Sequence, residues 1–392
     1  MTPAILALNA GSSSLKFALF EAGTLAPLAR GVVDAINVRP VFSVNNALHG
    51  NAATRDLAAT PIPHEAAAQA VFDWLASSFA ASHRLVAIGH RIVHGGPRFD
   101  TPRRVEGGLL ADLQAIIPLA PLHQPQGLAV IAEASKAAPG VPQVACFDTA
   151  FHHAMPPEAQ AIAIPRRFTE QGVRRYGFHG LSYEFIAGKL AFIDPRAAQG
   201  RTIVAHLGNG ASLCAMHNGK SVATSMGFSA LDGLVMGTRP GSIDPGVIFY
   251  LHMQHGMAID EIQRTFYKES GLLGVSGISS DVRELLASAD PRAKFALDLF
   301  AYRAAREIAS HAAAMQGIDA IVFTGGIGEH AAPVRAAICD RCRWHGLDLD
   351  AAANVAHAQR ISAPTSRIAA YVIPTDEEVV IARHAAALAA EH

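Results

Sequence analysis

The chain has 392 residues, 50% of them hydrophobic and 17% charged, and 32 basic residues against 33 acidic ones leave a formal net charge of −1. This is the composition of a globular protein with room for two ordinary domains, and it excludes a disordered chain. No basic run is long enough to neutralise a nucleic-acid backbone and no stretch of 18 apolar residues occurs, so the expected partners are small molecules, not nucleic acid or membrane.

Met1-Thr2-Pro3 leads straight into an apolar run without a basic leader, so a cytoplasmic location is expected. Residues 4 to 20 predict two strands around the turn Asn9-Ala10-Gly11-Ser12-Ser13-Ser14-Leu15-Lys16. Glycine there lets the backbone approach an anion, while N–H groups, hydroxyls and the Lys16 ammonium supply donors. An amphipathic helix is expected over 64 to 80, then a strand over 84 to 93 that carries Arg91 and ends in His94-Gly95-Gly96-Pro97. An Ala-rich helix over 127 to 138 precedes a short buried strand, Val141 to Phe147, which stops at Asp148. Strands alternating with helices place the chain in the α/β class.

After Pro156-Pro157 the pattern restarts. Residues 201 to 216 read as strand, turn, strand around Leu207-Gly208-Asn209-Gly210-Ala211-Ser212-Leu213, and His217-Asn218-Gly219-Lys220 reads as a hairpin turn. Helices are expected at about 245 to 256, 281 to 288 and 292 to 316, then a strand over 319 to 324 running into glycines. A strand over 368 to 373 precedes Thr375-Asp376-Glu377-Glu378 and a terminal helix. The polar turn at residue 9 and its relative about 200 residues later suggest a duplicated fold that closes on a nucleotide, with a boundary near residue 150.

Several local patterns mimic other functions. Cys339 and Cys342 have CxxC spacing but no second pair, and they continue a helical pattern, so structural thiols are expected. His152 and His153 are adjacent and cannot face one ion from a regular strand. Gly219-Lys220-Ser221 ends like a phosphate-binding Walker loop, yet the first glycine of that motif falls at Cys214. Gly326-Ile327-Gly328-Glu329-His330-Ala331 fits a dinucleotide fingerprint with Asp348 about 20 residues on, but turn and helix follow it where a second strand is required. A helix start behind glycines serves a mononucleotide phosphate equally well.

Arg91 and Arg239 sit in glycine-framed loops, where a guanidinium fork suits carboxylate or phosphate. His179, between Gly177 and Gly180 in Tyr176-Gly177-Phe178-His179-Gly180, is open to close ligand approach. Thr375 with Glu378 reads as a capping box, which leaves Glu377 for a metal.

Together these segments resemble the acetate kinase family, the short-chain acyl kinases of the acetokinase group. The likeness runs through Asn9 to Lys16, His90 to Gly96, Pro121 to His123, Phe147 to His152, Tyr176 to Gly180, His206 to Ser212, Thr224 to Phe228, Met236 to Arg239, Ser279 to Arg283, Thr324 to Glu329 and Pro374 to Glu378. The resemblance implies the duplicated two-domain α/β fold of actin, sugar kinases and chaperone ATPases, with a central cleft. It implies a first domain of residues 1–150 plus 375–392 and a second, nucleotide-binding domain of 151–374.

It further implies ATP-dependent phosphorylation of acetate, or of propionate, to acyl phosphate and ADP with magnesium, or manganese in its place, in a homodimer. By the same resemblance Asn9 and Glu377 hold the metal, and Lys16, Ser12 and Ser14 belong to the phosphate turn. His206, Leu207, Gly208, Asn209, Gly210, Asp281, Val282, Arg283, Gly326, Ile327, Gly328, Glu329 and His330 would hold ATP. Arg91 and Arg239 would grip carboxylate and phosphoryl group, His179 would stabilise the transferring charge, and Asp148 would be the essential acid. Val93, Leu122, Phe178 and Ala230 would line the acyl pocket. The chain departs from the usual pattern at Leu181, Tyr183 and Gln124, where Thr, His and Asn are usual, and at Ala230, where Pro is usual and which bears on substrate size.

Overall fold

The computed structural model describes residues 1–46 and 51–390. Two compact units account for the chain, Met1–Phe151 with Asp376–His392, and His152–Thr375.

The first unit is built on β1 (Thr2–Ala10), β2 (Leu15–Glu21), β3 (Pro27–Asp34), β4 (Val41–Asn46), β5 (Asn51–Asp56), β6 (His83–Ile92), β7 (Arg103–Arg104) and β8 (Gln143–Phe147). They form one sheet in the order β5-β4-β3-β2-β1-β6-β8-β7. β1 pairs antiparallel with β2 and parallel with β6, and β6 pairs parallel with β8. Helices His64–Ser78 and Gln124–Ala137 bury Ala67, Ala68, Val71 and Val130 against Leu6, Leu8, Phe17 and Ile88. The C-terminal helix, Glu377–Ala389, packs on β1 and β6. Gly89 permits this contact, since a Cβ there would lie 2.5 Å from Ile381 Cγ2 and 2.9 Å from the Ile381 carbonyl. With helices covering both faces, β1 is buried along nearly its whole length, which explains its unbroken apolar run.

The second unit carries β9 (Arg201–Leu207), β10 (Ala211–His217), β11 (Lys220–Thr224), β12 (Ala320–Thr324) and β13 (Ala369–Val372), in the order β11-β10-β9-β12-β13. β9 pairs antiparallel with β10, and β12 runs parallel to both β9 and β13. This is the order and sense of β3-β2-β1-β6-β8, so the repeated turn marks a repeated sheet. The β10–β11 turn has Asn218 at φ 52° and Gly219 at φ 69°, the left-handed pair that a tight two-residue hairpin requires.

The elements expected from periodicity are present, with shifted ends. Strands β3 to β5 and the helices Gly180–Ile193, Ile259–Lys268 and Gly271–Ser276 are additional to them. Two local expectations are corrected. The glycines after β12 are not a loop before a helix; Gly325–His330 is itself helical, with Thr324 at its N-cap, and a second helix, Ala332–Arg341, follows. The terminal helix is capped not by Thr375 with Glu378 but by Asp376, whose carboxylate accepts from the Val379 N–H at 3.1 Å. Asp376 is fixed in turn by a forked contact from Arg30.

Candidate active site

In the first unit, parallel pairing of β6 with β8 sets Arg91 beside Cys146, so Asp148, just beyond β8, meets the guanidinium. Arg91 donates from Nε and Nη2 to Asp148 Oδ2 at 2.9 and 2.5 Å. Asp148 is fully buried, and its own N–H is held by the Ile92 carbonyl at 3.0 Å. Burial opposes the Arg91 charge, but Asp148, then Glu377 and Glu378, outweigh it and raise its pKa. The arginine is a fixed, permanently charged fork.

Arg91 Nη1 lies 3.4 Å from Asn9 Oδ1 and from the Ala10 carbonyl. Asn9 Nδ2 donates to both Glu377 Oε2 and Glu378 Oε1, each at 2.9 Å. Asn9, Arg91, Asp148, Glu377 and Glu378 thus form one connected network at the ends of β1, β6 and β8. Burial, and next the like charge of Glu377, raise the Glu378 carboxyl, while the Asn9 bond and Lys16 act against that. Lys16 is directly opposite Asn9 on β2, and the Ser14 carbonyl accepts from Gly11 N–H at 2.8 Å to close the turn that holds Ser12. Glu378, expected as part of a cap, instead accepts from Asn9, because the terminal helix returns to β1.

Gln124, at the start of its helix, accepts from the His94 N–H at 3.2 Å and donates to the His94 carbonyl at 3.0 Å. It clamps the loop after Val93, and Thr149 Oγ1 holds the next N–H, that of Gly95, at 3.0 Å. Val93 is buried and Leu122 half-buried.

In the second unit, His179 stands at the N-cap of helix Gly180–Ile193 with φ 59° and ψ 25°, a left-handed conformation uncommon for a residue with a Cβ. Its Nδ1 is 2.8 Å from Ser212 Oγ on β10, and its ring stacks on His206 of β9 at 4.3 Å. Phe178, before it, is buried, and its carbonyl is 2.9 Å from His152 Nε2. Burial pushes His152 down to about 4, so this imidazole is a neutral structural group.

The turn after β9 is crowded by design of its glycines. A Cβ on Gly210 would lie 2.9 Å from Arg239 Nη2 and 3.4 Å from His179 Nε2. Both groups therefore converge over one bare backbone position. Arg239 Nη1 also donates to the carbonyl of Ala230, at 2.6 Å. Gly237 fits against Asn209, where a Cβ would lie 1.9 Å from Oδ1, and against Ser280 at 3.3 Å. Gly325 lies on Leu207, with the Leu207 carbonyl 2.8 Å from where a Cβ would stand. The segments 206–210, 237–239, 280–283 and 325–330 are thereby brought to one end of the sheet.

Asp281 caps helix Val282–Ala287 through the Arg283 N–H and forks onto the Arg283 guanidinium, which lowers the Asp281 pKa; Val282 is buried. Gly326 and His330 are exposed, Gly328 is buried and Ile327 is half-buried, while Glu329 Oε1 accepts from the Gly325 and Thr375 N–H groups at 2.9 and 3.2 Å. Arg335, fully buried, holds the Gly328 and Glu329 carbonyls at 2.8 and 2.9 Å. A lone arginine in a helix gives no sequence sign of such burial.

The dinucleotide alternative fails on connectivity, because helix Gly325–His330 leads into helix Ala332–Arg341 and the next strand, β13, begins only at Ala369. Burial raises the Cys339 and Cys342 thiols, the latter to about 12, as expected of structural cysteines. Among the described residues no cluster of three His, Cys, Asp or Glu side chains suits a metal.

A sheet repeated in each unit, each copy opening into a glycine turn with basic donors, defines the class as small-molecule kinases of the duplicated α/β type. Comparison with known proteins narrows this. The model of the acetokinase family matches residues 4–383, and the chain belongs to that family. It is 52% identical over 393 residues to an acetate kinase of Rhodopseudomonas palustris, covering 98% of both chains. Its fold matches a propionate kinase of Francisella tularensis with a TM-score of 0.90 at 38% identity, over 98% of this chain and 99% of the other. An acetate kinase of Porphyromonas gingivalis matches with a TM-score of 0.87 at 35% identity, over 98% and 99% of the two chains.

Proposed function

We propose that the protein transfers the γ-phosphoryl group of ATP to acetate, and to propionate, giving acyl phosphate and ADP in one reversible in-line step. The observation that carries this reading is the convergence of Arg239 Nη2 and His179 Nε2 over Gly210, within the glycine turn of the second unit. A carboxylate is already ionised at neutral pH, so the acceptor oxygen attacks without a general base. What the protein must supply is orientation and charge stabilisation.

Each group takes its role from its setting. Arg91, locked by Asp148, offers its remaining donors to an anionic substrate. Arg239 and His179 offset charge on the phosphoryl oxygens. The second unit is the nucleotide-binding domain, and residues 206–210, 281–283 and 326–330 hold ATP. Val93, Leu122, Phe178 and Ala230 contact the acyl chain.

Magnesium, or manganese, fits the oxygen-rich group of Asn9 and Glu377, with Glu378 beside them. Two carboxylates on one amide, one of them with a raised pKa, form a place where a divalent cation relieves like-charge repulsion. The bound ion would neutralise phosphate charge.

A homodimer belongs to the same proposal. Helix Gly246–His255 leaves Phe249, Tyr250 and Met253 at 63%, 57% and 73% exposure, an apolar face of the kind that marks protein contacts. Phe249→Glu with Met253→Glu should give monomers by light scattering, and a dimer that survives both changes refutes this face. Four free cysteines, all buried, suit the reducing cytoplasm. Among the described residues no helix is long and apolar enough to cross a membrane.

Trapping acyl phosphate as hydroxamate in the presence of ATP and acetate tests the activity. His179→Ala should lower kcat by roughly 100- to 1000-fold with ATP affinity by calorimetry little changed, the usual size for one lost transition-state donor. A variant within threefold of wild type removes His179 from the chemistry.

A further inference from the structure

We propose that Tyr183 and Ser212 form a relay that holds His179 as a neutral imidazole with its proton on Nε2, so that Tyr183 is a positioning residue for phosphoryl transfer. The proposal rests on the reading of His179 as a donor to the transferring group. Tyr183 follows His179 by four residues, one turn along helix Gly180–Ile193, and its hydroxyl meets the same Ser212 Oγ that lies 2.8 Å from His179 Nδ1. Tyr183 and Ser212 are fully buried, and the Tyr183 ring is held edge-on by His152, with centroids 5.5 Å apart.

The direction of the relay follows from proton count and acidity. A phenol is a stronger acid than an aliphatic alcohol, so Tyr183 donates and Ser212 Oγ accepts. Serine has one proton, which then goes to His179 Nδ1. An Nδ1 that accepts cannot carry a proton, and in a neutral imidazole the proton is then on Nε2. That nitrogen faces the Gly210 turn, where a phosphoryl oxygen needs a donor.

The surrounding charges favour the same state. Arg239, from the loop after β11, brings its guanidinium to the point over Gly210 that Nε2 also borders, which opposes a second positive charge. His206 of β9 stacks on the ring at 4.3 Å and 22°. Tyr183 from the same helix and His152, edge-on behind it, are neutral groups at this ring. The left-handed backbone of His179 also needs support, because an unanchored side chain would let the residue relax toward an ordinary helical turn.

The test is nitrogen-detected NMR of histidine-labelled full-length protein, with His179 assigned by the signals lost in His179→Ala. Wild type should show a neutral ring protonated on Nε2 at pH 7. In Tyr183→Phe the Nδ1-protonated form should appear and the His179 titration should move upward. In the same variant kcat should fall about 5- to 20-fold, as for one lost buried hydrogen bond, with the KM for ATP unchanged. An imidazolium or an Nδ1-protonated ring in wild type overturns the relay, and so does a Tyr183→Phe protein with the wild-type tautomer and kcat. The wild-type spectrum decides on its own if Tyr183→Phe fails to fold. Should the tautomer be as stated while His179→Ala keeps near-normal kcat, the catalytic reading of His179 falls and the relay stands.

Discussion

Asp148→Asn removes one charge at nearly constant shape and so isolates what the buried carboxylate does for Arg91. In the folded protein Asp148 Oδ2 accepts from both Nε and Nη2, at 2.9 and 2.5 Å, and the two side chains are 1% and 16% exposed. Breaking a buried pair on one side leaves an uncompensated charge and costs about 3–5 kcal/mol. For a unit of this size about 1 kcal/mol corresponds to 2–4 °C, so the melting temperature should drop by roughly 6–20 °C. Glu377 and Glu378 still attract the guanidinium, so Arg91 should swing toward the Asn9 network and lose its aim. The hydroxamate assay, run below the lowered transition, should then show kcat reduced by about 100-fold or more, the size of one lost oriented donor. Calorimetric melts and steady-state rates on the same preparations decide the matter. A shift under 3 °C together with kcat within threefold would mean that the pair is neither buried nor orienting, and the account of Arg91 would fail.

Arg91→Lys and Arg239→Lys should both lose most kcat/KM although the charge is kept, since an ammonium cannot span Asp148 and a substrate oxygen, or the Ala230 carbonyl and a phosphoryl oxygen; near-normal kcat/KM in either would reduce that arginine to distant attraction. Propionate should come within about tenfold of acetate in kcat/KM, because a methylene in an apolar pocket is worth on the order of 1–3 kcal/mol, and Ala230→Pro should restore discrimination while sparing the carbonyl that Arg239 holds. An unchanged propionate-to-acetate ratio in Ala230→Pro would show that this position does not set acyl size. Burial lowers His90, His152 and His311 from 6.5 to about 4 each, so the unfolded chain takes up these protons first and stability, full above about pH 6.5, is lost as pH falls toward 4. With three such groups the slope reaches about 4 kcal/mol per pH unit, and a urea midpoint constant between pH 7 and 5 would contradict it.

Legibility followed the range of the interactions. Strand β1 was readable because helices cover both faces and the apolar run is continuous, while β5, polar and at the sheet edge, carries no such signal, and β4 beside it has only the short apolar stretch that buries Phe42 and Val44. The turn at Asn209 and Gly210 was readable because glycine chemistry is local. Gln124 looked like a mere departure from a pattern, and its clamp on His94 lies 30 residues away in the chain. Glu378 looked like a cap, and the true cap is Asp376, placed by Arg30 from 346 residues away.

The class of fold, its duplication and the residue types suited to phosphoryl and carboxylate chemistry are legible along the chain, because backbone turns and apolar periods are set by near neighbours. Which of those residues come into contact depends on pairings that the folded chain alone makes. Parallel pairing of β6 with β8 put Arg91 on Asp148, the returning terminal helix put two glutamates on Asn9, and the fold of helix Gly180–Ile193 over β10 joined Tyr183, Ser212 and His179. Those are contacts between groups 29 to 369 residues apart, and their strength comes from burial, which no local pattern specifies.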